Sequence, residues 1–291
     1  MNAIAFLTMD SLARFVSYDS LVADCLAARG VKVQNVSWRD PTVRWNDFEL
    51  VVIRSPWDYQ HAVEEFLEVL QVINSSEAVL WNSLDVVHWN IRKTYLQQLH
   101  DQGITIVPTQ FVNGPNCSQI RSLFDVFQTD QIVIKPVVGA GAENTFWLRS
   151  DSSDAELQRI ALLYASQTAL LQPFIPGVIE HGETSLIFID GQYSHSVLKT
   201  PKPGDFRVQE EHGSQLQAIS VDPELIKFSE NALKVAPHRT LYGRVDLVEL
   251  PNGDPAVMEL ELIEPSLYLS YDADAAVRFA DAIQLFGERQ K

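Results

Sequence analysis

Cysteine is nearly absent from this sequence, whose 291 residues include only Cys25 and Cys117. A chain of this length does not depend on one disulfide for its stability, so we expect a reducing, cytoplasmic location. Long hydrophobic runs are missing too, because no stretch approaches the ~18 apolar residues of a membrane span. The N-terminus also lacks the basic region and the apolar stretch of a secretory signal. The sequence therefore predicts no membrane partner.

Positive charge is the third shortage. Lysine and arginine total 22 against 38 aspartate and glutamate residues, which gives a formal net charge of −16. Such an acidic chain lacks the positive surface that binding to nucleic-acid phosphates requires, so nucleic acid is not a predicted partner. Hydrophobic residues nevertheless make up 46% of the chain. This content and length are enough for a packed core and about two domains.

The chain divides into three predicted parts. Residues 1–85 alternate strand-like and helix-like segments, a pattern typical of a parallel sheet covered by helices. Residues 86–170 contain strands with helices between them. Residues 171–291 are dominated by antiparallel strands, with hairpin turns expected at 190–191 and 252–253. The fold class is therefore α/β in the first part and α+β in the rest, and clefts between the parts are the natural ligand sites.

Two lysines lie in unusual positions. Lys135 interrupts the apolar run 132–134 and is followed at 138–145 by the small-residue loop VGAGAENT, whose backbone amides are suited to covering phosphates. The loop is not a Walker A motif, because no Gly-Lys-Ser/Thr follows its glycines. Lys93 lies in a predicted helix over 90–102. Taken singly, each lysine is also explained as a surface or strand-end residue whose stem packs on apolar neighbours.

The last hairpin brings charged residues into register. If the turn residues are those at 252–253, Asp246 faces Glu259 and Arg244 faces Glu261. Side chains two positions apart share a face, so all four charged groups project from one side of the sheet. The other side is then apolar, with Val245, Leu247, Met258 and Leu260. Opposed carboxylates need a cation, and hard oxygen ligands suit Mg²⁺ or Mn²⁺. The alternative is a solvated strand face in a very acidic protein.

The order of these features along the chain resembles that of an ATP-grasp ligase. The features are the two lysines, the small-residue loop, the segment LQPFI at 171–175, Glu183 and the acidic hairpin. The segment 172–213 is similar in layout to bacterial glutathione synthetases, and the segment 243–261 resembles the metal-binding hairpin of D-alanine:D-alanine ligases. Within the family, the O-ureido-D-serine cyclo-ligases of cycloserine biosynthesis are similar in the segments WNIRKTYL, VPTQFV, HSVLKTP, FRVQEEHG and ELELIEPSLYL. The resemblance implies an ATP-grasp fold preceded by a Rossmann-like N-terminal domain.

The resemblance also implies that ATP binds between the sheets of the second and third parts. It assigns the phosphates to Lys93 and Lys135 and to the loop residues Gly139, Ala140, Gly141 and Ala142. The adenine is assigned to Gln172, Phe174 and Ile175, and the ribose hydroxyls are assigned to Glu183. One or two Mg²⁺ ions would be held by Asp246, Glu259 and Glu261. Many relatives have asparagine in place of Glu261, and this departure bears on the metal preference.

The chemistry implied is the activation of a small amino-acid-type carboxylate as an acyl phosphate, which an amine or another nucleophile of the same or a second molecule then attacks. Metal ions and cationic side chains neutralise charge on the moving phosphoryl group. The resemblance places Arg244 at the tetrahedral oxyanion, and Lys199 and Arg207 at the acyl phosphate. The alternatives are a dipeptide or amino-acid ligase, a small-molecule kinase and a nucleotide-binding protein without turnover. Relatives are often dimers, so a homodimer is compatible with the resemblance.

The substrate side is predicted from the first part. Arg54, Trp57 and Asp58 follow the buried strand at 50–53, and ligands of open α/β sheets bind at the carboxyl ends of strands. Arg54 is suited to a substrate carboxylate and Asp58 to an amine, as an amino acid requires. A turn with a packed tryptophan explains the same residues. His212 is a further candidate for substrate contact, and a solvated loop histidine is the alternative.

Overall fold

The computed structural model describes residues 3–288, and side chains for 3–286, so the ends of the predicted first and third parts lie outside the described residues. Within residues 3–288, no helix is long and apolar enough to cross a membrane. The first part contains β1 (Ala3–Thr8), α1 (Asp19–Ala28), β2 (Lys32–Ser37), β3 (Leu50–Ser55), α2 (Val63–Asn74) and β4 (Val79–Trp81). Its strands form a parallel sheet in the order β2-β1-β3-β4. Every residue of β3 is buried, because this apolar run is covered on both faces.

Two short helices follow, α3 (Leu84–Asn90) and α4 (Tyr95–Asp101). The prediction of one helix over 90–102 is therefore wrong. The helices are separated by a bend in which the Lys93 N–H donates to the Val137 carbonyl at 2.9 Å. Asn90 ties the end of α3 to the last strand, because its side-chain amide donates to the Leu260 carbonyl at 2.8 Å. These tertiary bonds place Lys93 in the bend rather than on a helix.

The second sheet carries helices on one face. Its elements are β5 (Gln110–Asn113), α5 (Cys117–Phe127), β6 (Gln131–Pro136), β7 (Phe146–Arg149), α6 (Asp154–Leu163) and β8 (Thr168–Pro173). The strands are antiparallel in the order β5-β8-β6-β7. In β6, Ile132 and Ile134 pack against α5 and α6. Side chains alternate along a strand, so Val133 and Lys135 point to the opposite face and line a cavity there.

The third sheet is the largest. The remaining elements are α7 (Gly177–Glu180), β9 (Glu183–Ile189), β10 (Gln192–Thr200), β11 (Gln215–Ile219), α8 (Pro223–Leu233), β12 (Tyr242–Glu249), β13 (Pro255–Glu261) and α9 (Ala275–Glu288). The strands are antiparallel in the order β11-β10-β9-β12-β13. The predicted turn at 190–191 has positive φ at both residues, 52° at Asp190 and 72° at Gly191, as a two-residue hairpin turn requires. Helix α9 returns to the first sheet and packs against α1.

The turn of the β12–β13 hairpin differs from the prediction. The Leu250 N–H donates to the Asp254 carbonyl at 2.9 Å, so the turn consists of residues 251–253 rather than of two residues. The pairs next to the turn are consequently shifted by one position, and Leu247 lies opposite Val257. Turn geometry sets the register of a hairpin, so this shift would displace the whole acidic face if nothing corrected it.

A β-bulge at Met258 makes that correction. Beyond the bulge Asp246 lies opposite Glu259 and Arg244 opposite Glu261, as predicted. The extra residue of a bulge turns its side chain out of the regular alternation. Met258 was predicted for the apolar face of the hairpin, and this is wrong, because it lines the cavity beside Glu259. The predicted register at the acidic face is therefore confirmed, although the turn and the bulge were not foreseen.

The division of the chain at residues 85 and 170 stays a proposal. Strand β8 crosses residue 170 and completes the second sheet. Helices α3 and α4 contribute side chains to the core of the third sheet. The second sheet and the core of the third sheet therefore each contain residues from both the second and the third predicted part.

Candidate active site

A cavity of about 560 Å³ lies between the second and third sheets, with loops of the first part at its mouth. This volume is typical of small-molecule sites. All the predicted site residues line it except Arg54. The cleft expected between the parts is therefore present, and it gathers residues that are far apart in the sequence.

Arg244 lies at the centre of the polar face of the third sheet. Its Nε donates to the two carboxylate oxygens of Asp246 at 3.0 and 3.2 Å, and its Nη2 donates to Asp246 Oδ2 at 2.9 Å. The same Nη2 donates to Glu261, and Nη1 donates to the Ser266 carbonyl at 3.1 Å. The Tyr268 ring centroid lies 5.4 Å from the guanidinium carbon. Two carboxylates thus share one buried guanidinium.

Lys199 forms a second buried cluster on the same face. Its Nζ lies 2.5 Å from Glu183 Oε1 and 3.2 Å from Asp246 Oδ1. Strand β9 places Ser185 opposite Asp246, and the serine hydroxyl donates to the carboxylate. Burial alone would raise the pKa of Asp246, but Arg244 and Lys199 outweigh it and hold this pKa below its usual range. Asp246 is therefore ionised at neutral pH.

Two lysines approach the hairpin from the opposite wall. Lys93 Nζ lies 2.5 Å from Glu259 Oε1 and donates to the Gly139 carbonyl at 3.0 Å. Lys135 forms no ion pair with any residue that the structure describes, and its Nζ lies 3.9 Å from Met258 Sδ. Burial lowers the pKa of Lys135. Lys135 is half-buried, and an ammonium group that is withdrawn from water without an anion is unfavourable. Lys135 is therefore suited to receive a negatively charged ligand such as phosphate.

The two carboxyl groups of β13 differ in charge. Burial alone would raise the pKa of Glu259, but Lys93 and Lys135 lower it overall. Burial raises the pKa of Glu261 to about 7, and the attraction of Arg244 does not offset it because Asp246 competes for the same guanidinium. Glu261 is therefore the less neutralised of the two, and a bound cation would ionise it fully.

The small-residue loop lies beside the lysines. Gly139 has no room for a side chain, since a Cβ there would lie 2.8 Å from a proline carbon, and Gly141 has a φ of +60°. His212 Nε2 lies 3.1 Å from the Gly141 carbonyl oxygen, and His61 Nε2 lies 2.7 Å from Glu143 Oε2. His212, predicted to contact substrate, thus contacts the loop. The loop is attached to both flanking parts of the molecule.

The predicted adenine segment continues from β8. The buried Gln172 donates its side-chain N–H to Thr109 Oγ1 at 2.9 Å. Phe174 stacks on Trp147 with 4.4 Å between ring centroids, and Ile175 belongs to an apolar cluster on the same wall. This end of the cavity is mostly apolar and aromatic, as the binding of a flat base requires.

The acidic hairpin supplies hard oxygen donors but no preformed metal cage. Among residues 3–286, no three His, Cys, Asp or Glu side chains are grouped so that they could hold a metal ion. Each predicted ligand is instead bound by a cation of the chain, Asp246 and Glu261 by Arg244 and Glu259 by Lys93. The donor chemistry of the three carboxylates fits Mg²⁺. Binding the ion requires these ion pairs to rearrange.

The predicted clamp for a zwitterionic substrate is not formed. Arg54 lies outside the cavity, and its Nε donates to the buried Asp19 at 2.8 Å. Asp58 lines the cavity, but its carboxylate accepts hydrogen bonds from Trp38 Nε1 at 2.7 Å and from Arg39 Nε at 3.1 Å. Both charged groups are therefore engaged within the first part of the chain.

Trp57 and Arg207 lie at the mouth of the cavity. The Trp57 indole N–H donates to the Glu264 carbonyl at 2.8 Å, and its ring centroid lies 5.4 Å from that of Phe15. Arg207 Nη2 lies 2.8 Å from Asp205 Oδ2, and the Arg207 side chain is 36% exposed. Arg207 Nε also donates to Asp205 Oδ1 at 3.0 Å, so the carboxylate is held by both arms of the guanidinium. An anionic ligand at Arg207 therefore has to displace Asp205 or bind beside it.

The cavity residues that were not identified from the sequence include Glu264, Tyr59 and Tyr268. Burial, reinforced by the charge of Glu261, raises the pKa of Glu264 to about 8, and the nearby Tyr59 hydroxyl opposes part of this rise. Tyr268 has a φ of 47°, which is uncommon for a residue other than glycine, and it packs near Arg244. The signal available for Glu264 was its place in the acidic run that begins at Glu259.

Comparison with known proteins agrees with this geometry. The family described as prokaryotic glutathione synthetase, ATP-grasp domain, matches residues 84–242, which is more than half of the chain. The family described as D-cycloserine synthetase DcsG, N-terminal domain, matches residues 4–82. The cycloserine biosynthesis protein DcsG of Streptomyces lavendulae is 31% identical in an alignment of 298 positions, gaps included. The alignment covers 97% of this chain and 98% of DcsG.

Solved structures show the same relationship. The crystal structure of D-cycloserine synthetase DcsG is similar with a TM-score of 0.86 and 29% identity, over 99% of this chain and 100% of that one. The ATP-grasp ligase PsnB, solved with a minimal precursor, Mg and ADP, shares the fold with a TM-score of 0.68 and 17% identity, over 98% of each chain. The family predicted from the sequence is confirmed. The chain belongs to the ATP-grasp family of ATP-dependent ligases.

Proposed function

We propose that the protein is an ATP-dependent cyclo-ligase for a small amino-acid derivative of the O-ureido-serine type. The observation that carries this proposal is the similarity to DcsG over nearly the whole of both chains. DcsG is described as a cycloserine biosynthesis protein and as a D-cycloserine synthetase. The similarity includes the N-terminal part, where the substrate is expected. A cavity of about 560 Å³ also suits a nucleotide with a small molecule beside it.

In this proposal ATP lies along the cavity. Its adenine contacts the segment 172–175, and its phosphates contact Lys93, Lys135 and the small-residue loop. Lys135, which is half-buried and has no ion pair within residues 3–286, supports this placement, because a phosphate would supply the missing anion. Glu183 binds the ribose hydroxyls and keeps its contact with a lysine of the third sheet.

Asp246, Glu259 and Glu261 are the proposed ligands of Mg²⁺, and Mn²⁺ has similar ligand preferences. When bound, such an ion neutralises phosphate charge and orients the phosphates for transfer. The additional carboxylate at Glu261, compared with the asparagine of many relatives, gives the set one more negative charge. Its poor neutralisation by Arg244 favours the binding of a cation.

The proposed reaction has two steps. First, a carboxylate oxygen of the substrate attacks the γ-phosphorus of ATP, the bond to ADP breaks, and an acyl phosphate forms. Then a nitrogen of the same molecule attacks the carbonyl carbon and loses a proton, and phosphate leaves with the former carboxylate oxygen. Lys199 and Arg207 hold the phosphoryl group in this scheme, and Arg244 stabilises the oxyanion of the tetrahedral intermediate. The chain supplies charge and position, and no covalent enzyme intermediate is needed.

An ADP-release screen with identification of products by mass tests the proposal. The panel contains O-ureido-D-serine, its L enantiomer, amino-oxy derivatives and unmodified amino acids, each with and without a second amine. We expect ADP release with an O-ureido-serine alone and a cyclic product. A product that joins two molecules indicates an amino-acid ligase instead, and a stable phosphorylated product indicates a kinase. Nucleotide binding without ADP release for any compound contradicts the proposed function.

The cellular context belongs to the same proposal. We propose a cytoplasmic location, and light scattering of the purified protein tests the homodimer that the family resemblance suggests.

A further inference from the structure

The substrate amine lacks the partner that the sequence predicted. Asp58 is already engaged by Trp38 and Arg39. An amino-acid derivative therefore needs another carboxylate near the carboxyl ends of the strands of the first sheet, where ligands of parallel sheets bind. Glu264 is in that position, because it lines the cavity and its carbonyl accepts the indole N–H of Trp57, which follows β3.

Glu264 is a cavity carboxyl group without a cation. None of the ion pairs among residues 3–286 includes it, and Lys93, which influences it electrostatically, is bound to Glu259. The hydroxyl of Tyr59, which is itself buried, lies near this carboxyl group and partly lowers its pKa. Burial and the charge of Glu261 raise the pKa of Glu264. A ligand that brings a positive charge would relieve both effects.

We infer that Glu264, beside Tyr59, binds the ammonium group of the substrate at the side of the cavity formed by Trp57. The inference rests on the proposed function for the substrate class, an amino-acid derivative, and adds the side chain that selects it. A substrate that carries the amine supplies the cation that ionises Glu264, whereas a substrate without it leaves Glu264 protonated and without this ion pair. Sites built to pair with a polar group discriminate strongly against analogues that lack it.

The test compares an O-ureido-serine with the analogue that lacks only the α-amino group. Glu264→Gln is expected to raise KM for the amino substrate roughly 10- to 100-fold, the range for one charge-assisted hydrogen bond, and to leave KM for the des-amino analogue unchanged. Tyr59→Phe keeps the charge and is expected to raise the first KM roughly 2- to 10-fold. Glu211→Gln removes the same charge from an exposed position at the cavity, so it is the matched control that changes neither KM.

Calorimetry with Mg²⁺ and a non-hydrolysable ATP analogue measures the same preference without turnover. If the wild-type protein releases no ADP but binds the amino compounds more tightly than their des-amino forms, the proposed function fails and the Glu264 site stands. Equal binding of both forms by the wild-type protein overturns the inference, and so does an equal change for both forms in Glu264→Gln. Weaker Mg²⁺ binding by Glu264→Gln with an unchanged preference for the amine also overturns it, because Glu264 is then a metal ligand.

Discussion

Two buried arginine–aspartate pairs in this protein have similar geometry and different surroundings. Arg54 Nε lies 2.8 Å from Asp19 Oδ1, and Arg244 Nη2 lies 2.9 Å from Asp246 Oδ2. The side chains are 3% and 8% exposed in the first pair and 7% and 3% exposed in the second. Only the second pair lines the cavity. Distance and burial alone therefore do not separate a structural ion pair from a functional one.

The difference lies in the balance of charge around each pair. Asp19 also accepts hydrogen bonds from the hydroxyls of Ser17 and Ser55. The single negative charge of Asp19 is therefore balanced by the single positive charge of Arg54. Around Arg244 there is a second carboxyl group, that of Glu261, and it stays poorly neutralised. An unbalanced charge that faces a cavity can be neutralised by a ligand, whereas a balanced ion pair inside the core contributes only to the stability of the fold.

The largest effect is expected when the structural ion pair between Arg54 and Asp19 is broken. Arg54→Met leaves the Asp19 carboxylate buried without a cation, so the free energy of unfolding is expected to fall by about 3–5 kcal/mol. Urea unfolding followed by circular dichroism measures this loss. ADP release per folded molecule is expected to stay at the wild-type level, because Arg54 does not reach the cavity. Normal stability combined with lost turnover contradicts the comparison.

For a carboxylate of the cavity we expect the opposite result, a loss of turnover with little change in stability. Glu259→Gln removes a carboxylate that is bound by Lys93 and is a proposed ligand of the metal ion. ADP release is expected to fall roughly 10²- to 10³-fold, as when one preorganised electrostatic partner is lost. The urea midpoint should change little, since the amide oxygen can still accept from Lys93. Glu259→Asp is the matched control that keeps the charge, and wild-type turnover in Glu259→Gln refutes the site.

Replacing Lys135 is expected to have smaller effects, which are opposite in sign for the ligand-free and the ligand-bound protein. Burial lowers its pKa, so its protonated form destabilises the folded protein at neutral pH, and Lys135→Met is expected to raise the melting temperature without ligand. The same variant should lose most of the stabilisation by Mg²⁺ and an ATP analogue, about 2.7 kcal/mol at a ligand concentration of 100 Kd. Differential scanning fluorimetry measures both effects. Lys234→Met, at an exposed position after α8, is the control, and equal ligand shifts in all three proteins count against the phosphate site.

The smallest effect concerns pH. The pKa of Glu264 is raised to about 8 in the folded protein, against about 4.3 in an unfolded chain. The stability linked to its bound proton is therefore present below the unfolded value and is lost as pH rises through about 8. Glu264→Gln cannot ionise, so its melting temperature is expected to rise relative to the wild-type value between about pH 5 and pH 8. A difference in melting temperature between the two proteins that stays constant across this pH range shows that the pKa of Glu264 is not raised in the folded protein.

Local patterns in the sequence predict the acidic face well. Strand alternation and the turn placed Asp246 opposite Glu259, although the longer turn and the bulge at Met258 each shift the pairing by one residue and cancel. The same local logic fails for the helix at 90–102. There the side chain of Asn90 bonds the last strand, a contact that no local periodicity contains.

The partners of charged side chains are harder to predict. Arg54 pairs with Asp19, and Asp58 pairs with Arg39, because the fold brings together elements that are distant in the sequence. The sequence shows which side chains carry charge but not which of them neutralise each other. For the same reason, only the folded structure shows that Glu264 has no ion pair among the residues that it describes.

The central claim is that this cavity joins a carboxylate to the terminal phosphoryl group of ATP. It is tested most directly with substrate that carries ¹⁸O in its carboxylate, followed by mass analysis of the released phosphate. We predict that each phosphate released contains one ¹⁸O atom from the substrate. Phosphate without ¹⁸O, released in step with ADP, contradicts the account, because water and not the carboxylate has then accepted the phosphoryl group.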